Sequence, residues 1–317
     1  MHGLVSILIP VYNSAKSLER CIASCLAQDY SPIEIIIIND GSTEGDYRFL
    51  SQYDTSIVHY YSEVEHRGIA ATRNQLLQLA KGEFIAWIDA DDFMLPSRIK
   101  TQVAFLNAHP HIDIVGSYLT DTKGPYQTYT CPQTHAAIKA CLKFKNCLFQ
   151  PSILSRHFYL KEGIQYDESY GNIAEDYALW QVCIARKTLA NLPIPLTAYD
   201  HPSKEQLDSK RTANQFEEKS LRLHASLWAE SELCGEETKA LHHFLYPTLN
   251  NTAIDFERTL SALEKLNRDA QSDDERIVNA YYTFLLWAKA PLTYQFKHIS
   301  HMLKIIAYRQ YKQWFKA

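Results

Sequence analysis

Apolar and polar positions fall into blocks of two kinds along the first half of the chain. Some are short runs rich in β-branched residues; others are longer stretches with an apolar residue every three or four positions. Leu4 to Ile9 is a run of the first kind, stopped by Pro10. Ser17 to Leu26 has helical spacing, with Leu18, Ile22 and Leu26 on one stripe. Ile33 to Ile38 is almost all isoleucine and predicts a central strand buried on both faces. Ile57 to Tyr61 is a further strand candidate, and Ile69 to Ala80 predicts a helix closed by Lys81-Gly82. Phe84 to Ile88 predicts a strand, Pro96 opens a helix reaching about His109, and Ile112 to Ser117 supplies one more strand. Repeated βα units of this kind predict an α/β fold with a mostly parallel sheet and helices on both faces.

From about Thr120 the pattern loosens. A helix is predicted over Glu175 to Ala185, and Pro193, Pro195 and Pro202 predict loops. Beyond about Gln206 the periodicity is helical throughout. There is no internal repeat or low-complexity linker, and the chain divides into residues 1–215 and a helical extension over 216–317.

Composition narrows the class. With 46% hydrophobic and 21% charged residues among 317, the chain reads as an ordinary globular protein. A net charge of -4 offers nothing to a nucleic-acid backbone. The seven cysteines are scattered and form no CxxC pair, which argues against a zinc site and fits a reducing compartment. Neither a secretory signal nor an apolar stretch of the roughly 20 residues needed to span a bilayer is visible. These features predict a cytoplasmic protein. From Tyr294 onward, Lys297, Lys304, Arg309, Lys312 and Lys316 interleave with Ile299, Leu303, Ile306, Tyr308, Trp314 and Phe315, with no acidic residue. Such a segment is either a packed helix with a basic face or a peripheral contact to the inner face of an anionic membrane.

Three predicted strands end in polar turns. Leu4 to Ile9 runs into Pro10-Val11-Tyr12-Asn13, Ile33 to Ile38 into Asn39-Asp40-Gly41-Ser42-Thr43, and Phe84 to Ile88 into Asp89-Ala90-Asp91-Asp92. Each alone can be a simple turn or helix cap. In a parallel sheet, however, all three lie on one side, where α/β proteins bind ligands. Three carboxylates crowded at Asp89, Asp91 and Asp92 repel one another unless a cation or hydrogen-bond donors compensate. A divalent cation carrying a pyrophosphate would do so.

These segments, with Gly68-Ile69-Ala70-Ala71-Thr72-Arg73-Asn74, Gly82-Glu83-Phe84 and Ala174-Glu175-Asp176-Tyr177 before Trp180, resemble the family 2 glycosyltransferases in order and spacing over roughly residues 3 to 205. Within the family the chain is most similar to bacterial enzymes that extend lipooligosaccharide or capsule glycans, a similarity that includes Leu189 to Pro193. The resemblance implies a GT-A fold and inverting transfer from a UDP-sugar to a glycan or lipid-linked oligosaccharide acceptor, with Mn²⁺ or Mg²⁺. Carried onto matching positions, it implies that Pro10 and Tyr12 flank the uracil and Asp40 accepts its N3–H. Arg73 would lie near the nucleotide or phosphates, Asp89 and Ala90 at the ribose or metal shell, and Asp91 on the metal. His201 is a further candidate for the metal or diphosphate. Asn39 stands where many members carry Asp, and Gln150 where relatives often have His.

Asp176, with Glu175 beside it, is the candidate catalytic base, because transfer to a hydroxyl needs a carboxylate on the acceptor side. Acidic residues also favour helix N-termini for structural reasons. Two alternatives compete. A nucleotidyltransferase would place a glycine-rich phosphate loop after the first strand, where this chain has Val11 to Lys16 with no glycine. A non-catalytic sugar-nucleotide-binding scaffold would be expected to lose the carboxylates that this chain keeps.

Overall fold

The computed structural model describes residues 3–122, 127–200, 213–231, 233–245 and 254–270, with single positions between 274 and 286. The basic segment after Tyr294 and His201 lie outside them. The chain divides into two compact units, residues 1–135 with 147–207, and 136–146 with 208–317.

The first unit is built on one sheet. Its parallel half consists of β1 (Val5–Val11), β2 (Ile33–Asn39), β3 (Val58–Ser62) and β4 (Phe84–Trp87), in the order β3-β2-β1-β4. α1 (Ala15–Leu26) and α2 (Ile69–Leu79) provide the crossovers after β1 and β3. Six of the seven β2 residues are buried, as the isoleucine run predicts. The buried stripe of α1 is Leu18, Cys21, Ile22 and Cys25, while Leu26 is 40% exposed. The helix turns its two small thiols inward and leaves the leucine outside.

Past β4 the sheet is mixed rather than parallel. The remaining elements are β5 (Phe93–Met94), α3 (Arg98–Ala108), β6 (Ile114–Asp121), β7 (Thr128–Tyr129), β8 (Leu154–Arg156), α5 (Tyr159–Glu162), α6 (Glu175–Arg186) and β9 (Leu189–Tyr199). The order continues β4-β8-β6-β9-β5, with β7 on β6. β8 runs antiparallel to β4 and β6 because the chain enters it beside the carboxyl end of β4, where the Trp87 N–H bonds Ile153 O at 2.9 Å.

Pro193 and Pro195 do not interrupt the chain as predicted; both lie inside β9. The register against β6 slips there, from Ser117 opposite Leu192 to Tyr118 opposite Pro195. A bulge tolerates residues without an N–H, and positions 193–195 are exposed.

The second unit contains most of α4 (His135–Leu142), with α7 (Ala213–Leu227), α8 (Gly235–Leu245) and α9 (Phe256–Arg268). Its core gathers Trp228, Leu241, Phe244 and Leu263 with Phe144, whose ring stacks on Tyr282 at 4.3 Å. Asp255 caps α9, its carboxylate accepting the Arg258 N–H at 3.1 Å. No helix among the described residues is long and apolar enough to cross a membrane.

A buried imidazole is expected to make this unit acid-sensitive. His224 stacks on Trp228, with ring centroids 4.6 Å apart. Burial, reinforced by nearby His242, pushes His224 down to about 3. An unfolded histidine titrates near 6.5, so the unfolded chain binds the proton first. The stabilisation is therefore complete above about pH 6.5 and is lost as pH falls towards 3. The urea midpoint is expected to decline over that window, and a His224→Gln variant to decline less steeply. Parallel pH profiles for the two proteins would refute the assignment.

Candidate functional site

The carboxyl ends of β2, β1 and β4 lie side by side, so the three polar turns meet at one edge of the sheet. Hydrogen bonds join the first two. Asn13 adopts the left-handed conformation (φ 51°), open to asparagine at modest strain. Its Oδ1 accepts the Thr43 and Glu44 N–H groups at 2.9 and 3.1 Å, and its own N–H donates to Ser42 Oγ at 2.8 Å. Asn39 serves the same turn. Its Oδ1 accepts the Ser42 N–H at 3.1 Å, and its Nδ2 donates to the Tyr60 hydroxyl at 3.0 Å.

Asp40 is buried beneath this turn. Its Oδ1 accepts the Arg67 N–H at 2.8 Å and its Oδ2 the Gly68 N–H at 2.9 Å, which fixes the carboxylate against the loop before α2. Tyr12 is 43% exposed above it, whereas Pro10 is buried inside β1 opposite Ile38.

At the third turn the crowded charge is relieved from within the protein. Arg73, on α2, is only 4% exposed and places Nη2 3.2 Å from Asp89 Oδ1. Asp92 is fully buried, and burial, with Asp89 and Asp91 beside it, pushes its carboxyl well above the usual range. Its Oδ1 accepts the Asp200 N–H at 2.8 Å. Arg20 Nη2 donates to the Asp91 backbone oxygen at 2.9 Å and lies 3.5 Å from Asp200 Oδ2. The Arg73 guanidinium thus relieves part of the repulsion from within the protein.

Arg73 reaches a second carboxylate. Its Nη1 donates to Glu175 Oε1 at 2.6 Å. Burial works against the charge on Arg73, but Asp89 and Glu175 outweigh it and raise its pKa above the ordinary value. Burial also lifts Glu175 to about 7, with Arg73 opposing the rise. Arg73 is therefore the charge that lets Glu175 ionise in so dry a place. One buried cation holds the end of β4 and the start of α6 together.

Asp176 follows at the N-terminus of α6 and is half-buried, its Oδ1 accepting the Tyr177 N–H at 2.7 Å. The loop before it bends at Gly171 (φ 59°) and Ala174 (φ 58°). Asn172 in that loop accepts the Ile69 N–H at 2.9 Å, and Asn74 accepts the Tyr166 N–H at 2.8 Å, which fastens the loop to α2. Gln150 is buried with its Nε2 2.7 Å from the Tyr166 hydroxyl.

The structure thus brings Tyr12, Asp40, Arg73, Asp89, Ala90, Asp91, Glu175 and Asp176 into one region of the first unit. The positioning roles of Asn13, Asn172 and Asn74 are not visible in the sequence, because asparagine in a turn or helix carries no signature of its long-range partner.

Among the described residues, no group of three or more His, Cys, Asp or Glu is arranged to hold a metal ion. Oxygen ligands at Asp91 and Asp89 nonetheless fit the mode in which Mg²⁺ or Mn²⁺ takes one or two carboxylates and completes its shell with phosphate oxygens and water. They do not fit an all-protein cage.

Residues 6–161 match the family model described as glycosyl transferase family 2. An uncharacterized glycosyltransferase of Rickettsia typhi is 28% identical over 309 residues, covering 89% of each chain. The Escherichia coli protein WfaP is 29% identical over 177 residues, 56% of this chain and 68% of that protein. It is described as a UDP-Glc:alpha-D-GlcNAc-diphosphoundecaprenol beta-1,3-glucosyltransferase. Among solved structures, S. aureus TarS 1-349 in complex with UDP-GlcNAc aligns with a TM-score of 0.57 at 20% identity, covering 90% of this chain and 81% of that one. The mannosyltransferase PcManGT of Pyrobaculum calidifontis, in complex with GDP-Man and Mn²⁺, aligns with a TM-score of 0.51 at 17% identity over 100% of this chain and 84% of that one. Both share the GT-A type of fold with this chain.

Proposed function

From the premise that this chain belongs to glycosyl transferase family 2, and is a glycosyltransferase, we propose that it moves a hexose or N-acetylhexosamine from a UDP-sugar to a hydroxyl of a bacterial surface glycan, with inversion at the anomeric carbon. The observation that supports this most is the double contact of Arg73, 3.2 Å from Asp89 and 2.6 Å from Glu175. It sets donor-side carboxylates and the residue before Asp176 at a fixed spacing. A one-step displacement needs the leaving diphosphate and the attacking hydroxyl held in a fixed relation, and a shared buried cation supports such an arrangement.

In this reading Tyr12 stacks on the base, and Asp40 accepts the uracil N3–H, which cytosine does not offer. Asp176 takes the proton of the acceptor hydroxyl as its oxygen bonds to the anomeric carbon. The bond from that carbon to the β-phosphate oxygen breaks in the same step, and UDP departs with the electron pair. Glu175 is engaged with Arg73, which leaves the proton to Asp176. A divalent cation held by Asp91, with Asp89 beside it, would neutralise charge on the departing diphosphate.

The lipid-linked sugar described as the acceptor of WfaP supports this acceptor class. Such an acceptor would bring the enzyme to the inner face of the cytoplasmic membrane, where the basic segment after Tyr294 would meet anionic lipid. The test is UDP release from a panel of UDP-sugars, with and without Mn²⁺, using lipid-linked acceptors in detergent and in anionic vesicles. One UDP-sugar is expected to be turned over, with turnover falling when Mn²⁺ is withheld. No UDP release from any donor, with no thermal stabilisation by UDP, would sink the proposal.

A further inference from the structure

The Tyr12 and His66 rings stack, their centroids 4.0 Å apart and their planes 26° apart. The same imidazole lies with Nδ1 2.9 Å from Asp40 Oδ2 and 3.2 Å from the Asp40 backbone oxygen. Both neighbours of Nδ1 are oxygen acceptors, so this nitrogen carries the proton and donates it. One side chain thus touches both groups that the proposed donor site assigns to the base. We propose that His66 is a positioning residue of the base subsite, holding the Tyr12 ring and the Asp40 carboxylate in one relative arrangement. A planar ring bearing an N–H could then stack on the first while bonding to the second. The inference rests on the donor reading above.

Three features support holding rather than blocking. With His66 on it, Tyr12 is still 43% exposed, so the imidazole does not bury the side chain. At the carboxylate, Oδ2 takes the Gly68 N–H and His66, while Oδ1 takes the Arg67 N–H and keeps a lone pair for a further donor. The backbone also presses His66 into place. Gly41 sits at φ 64°, and a Cβ there would come within 2.6 Å of His66 N. The loop at His66 therefore lies directly on the turn after β2, an approach only glycine permits. Without the imidazole, Tyr12 would regain rotamer freedom that binding must then remove.

The test uses the full chain and titrates UDP, CDP and GDP by calorimetry. His66→Ala is expected to weaken UDP binding about tenfold, close to the value of one well-made contact. It should also narrow the preference for UDP over CDP, with the thermal midpoint unchanged. In kinetics, KM for the donor rises and kcat at saturation stays. His66→Phe keeps a ring without the bond, and His66→Asn keeps a donor without the ring, so each is expected to recover part of the loss. If His66→Ala does not fold, these two variants decide alone. Unchanged UDP affinity, or an equal loss for all three nucleotides, would overturn the proposal. Tighter UDP binding would also overturn it, since the imidazole would then be occupying the place of the base. Failure of the wild-type protein to bind any of the three would reject the donor reading itself, a result no His66 variant can imitate.

Discussion

Asp176→Asn is expected to lower the rate of sugar transfer about 10²- to 10⁴-fold, the range over which a positioned general base acts. The amide has the shape of the carboxylate and can still accept the Tyr177 N–H that Asp176 Oδ1 accepts at 2.7 Å, so the start of α6 should keep its geometry. What it cannot do is take a proton at neutral pH. UDP affinity should hold within about twofold, because the missing function belongs to the transition state and not to donor binding. The measurement is kcat with the active donor beside a UDP titration. Intact kcat would mean that another group removes the proton, and Glu175 could replace Asp176 only by leaving Arg73.

Removing Arg73 should cost the fold more than any other single change at the site. An Arg73→Met variant leaves Glu175 and Asp89 facing each other without the guanidinium that lies 2.6 and 3.2 Å from them. Breaking a buried pair from one side typically costs about 3–5 kcal/mol, since the remaining charge is neither solvated nor matched. For a unit of this size that lowers the thermal midpoint by roughly 10 °C. Adding Glu175→Gln to the same protein should restore part of it, because an amide in a dry site needs no counter-charge. The double variant would therefore be more stable than the sum of the two single losses. Strict additivity in a thermal melt would show that the two residues do not act as a pair.

Much of the parallel half was legible in order of residues because its signals are local. Isoleucine at five of seven positions in β2 forces burial on both faces, whatever the rest of the chain does. The turns at Asn39 to Thr43 and Asp89 to Asp92 were likewise visible, since polar residues directly after a buried strand mark where the chain leaves the core. The mixed half was not. Whether β8 pairs with β4 in parallel or antiparallel depends on where the chain re-enters the sheet, and no property of Leu154, Ser155 or Arg156 encodes it. Pro193 and Pro195 misled for a related reason: a proline breaks a strand unless a bulge relieves it of its missing bond, and the bulge is a property of β6 and β9 together.

Charge followed the same division. Local order of residues was enough to place carboxylates at the ends of strands and an acidic pair at the start of a helix. How those charges are balanced was settled by three-dimensional packing. It set Arg73 from α2 between Asp89 and Glu175, and buried Asp92 deeply enough to raise its proton affinity. It also drew segment 136–146 into the second unit. Local patterning marks most buried strands and turns, because those depend on neighbours a few positions away, though it did not anticipate the exposed Leu26. Ion pairing and proton affinity depend on distance in space and on access to water, and both arise only when remote parts of the chain come into contact.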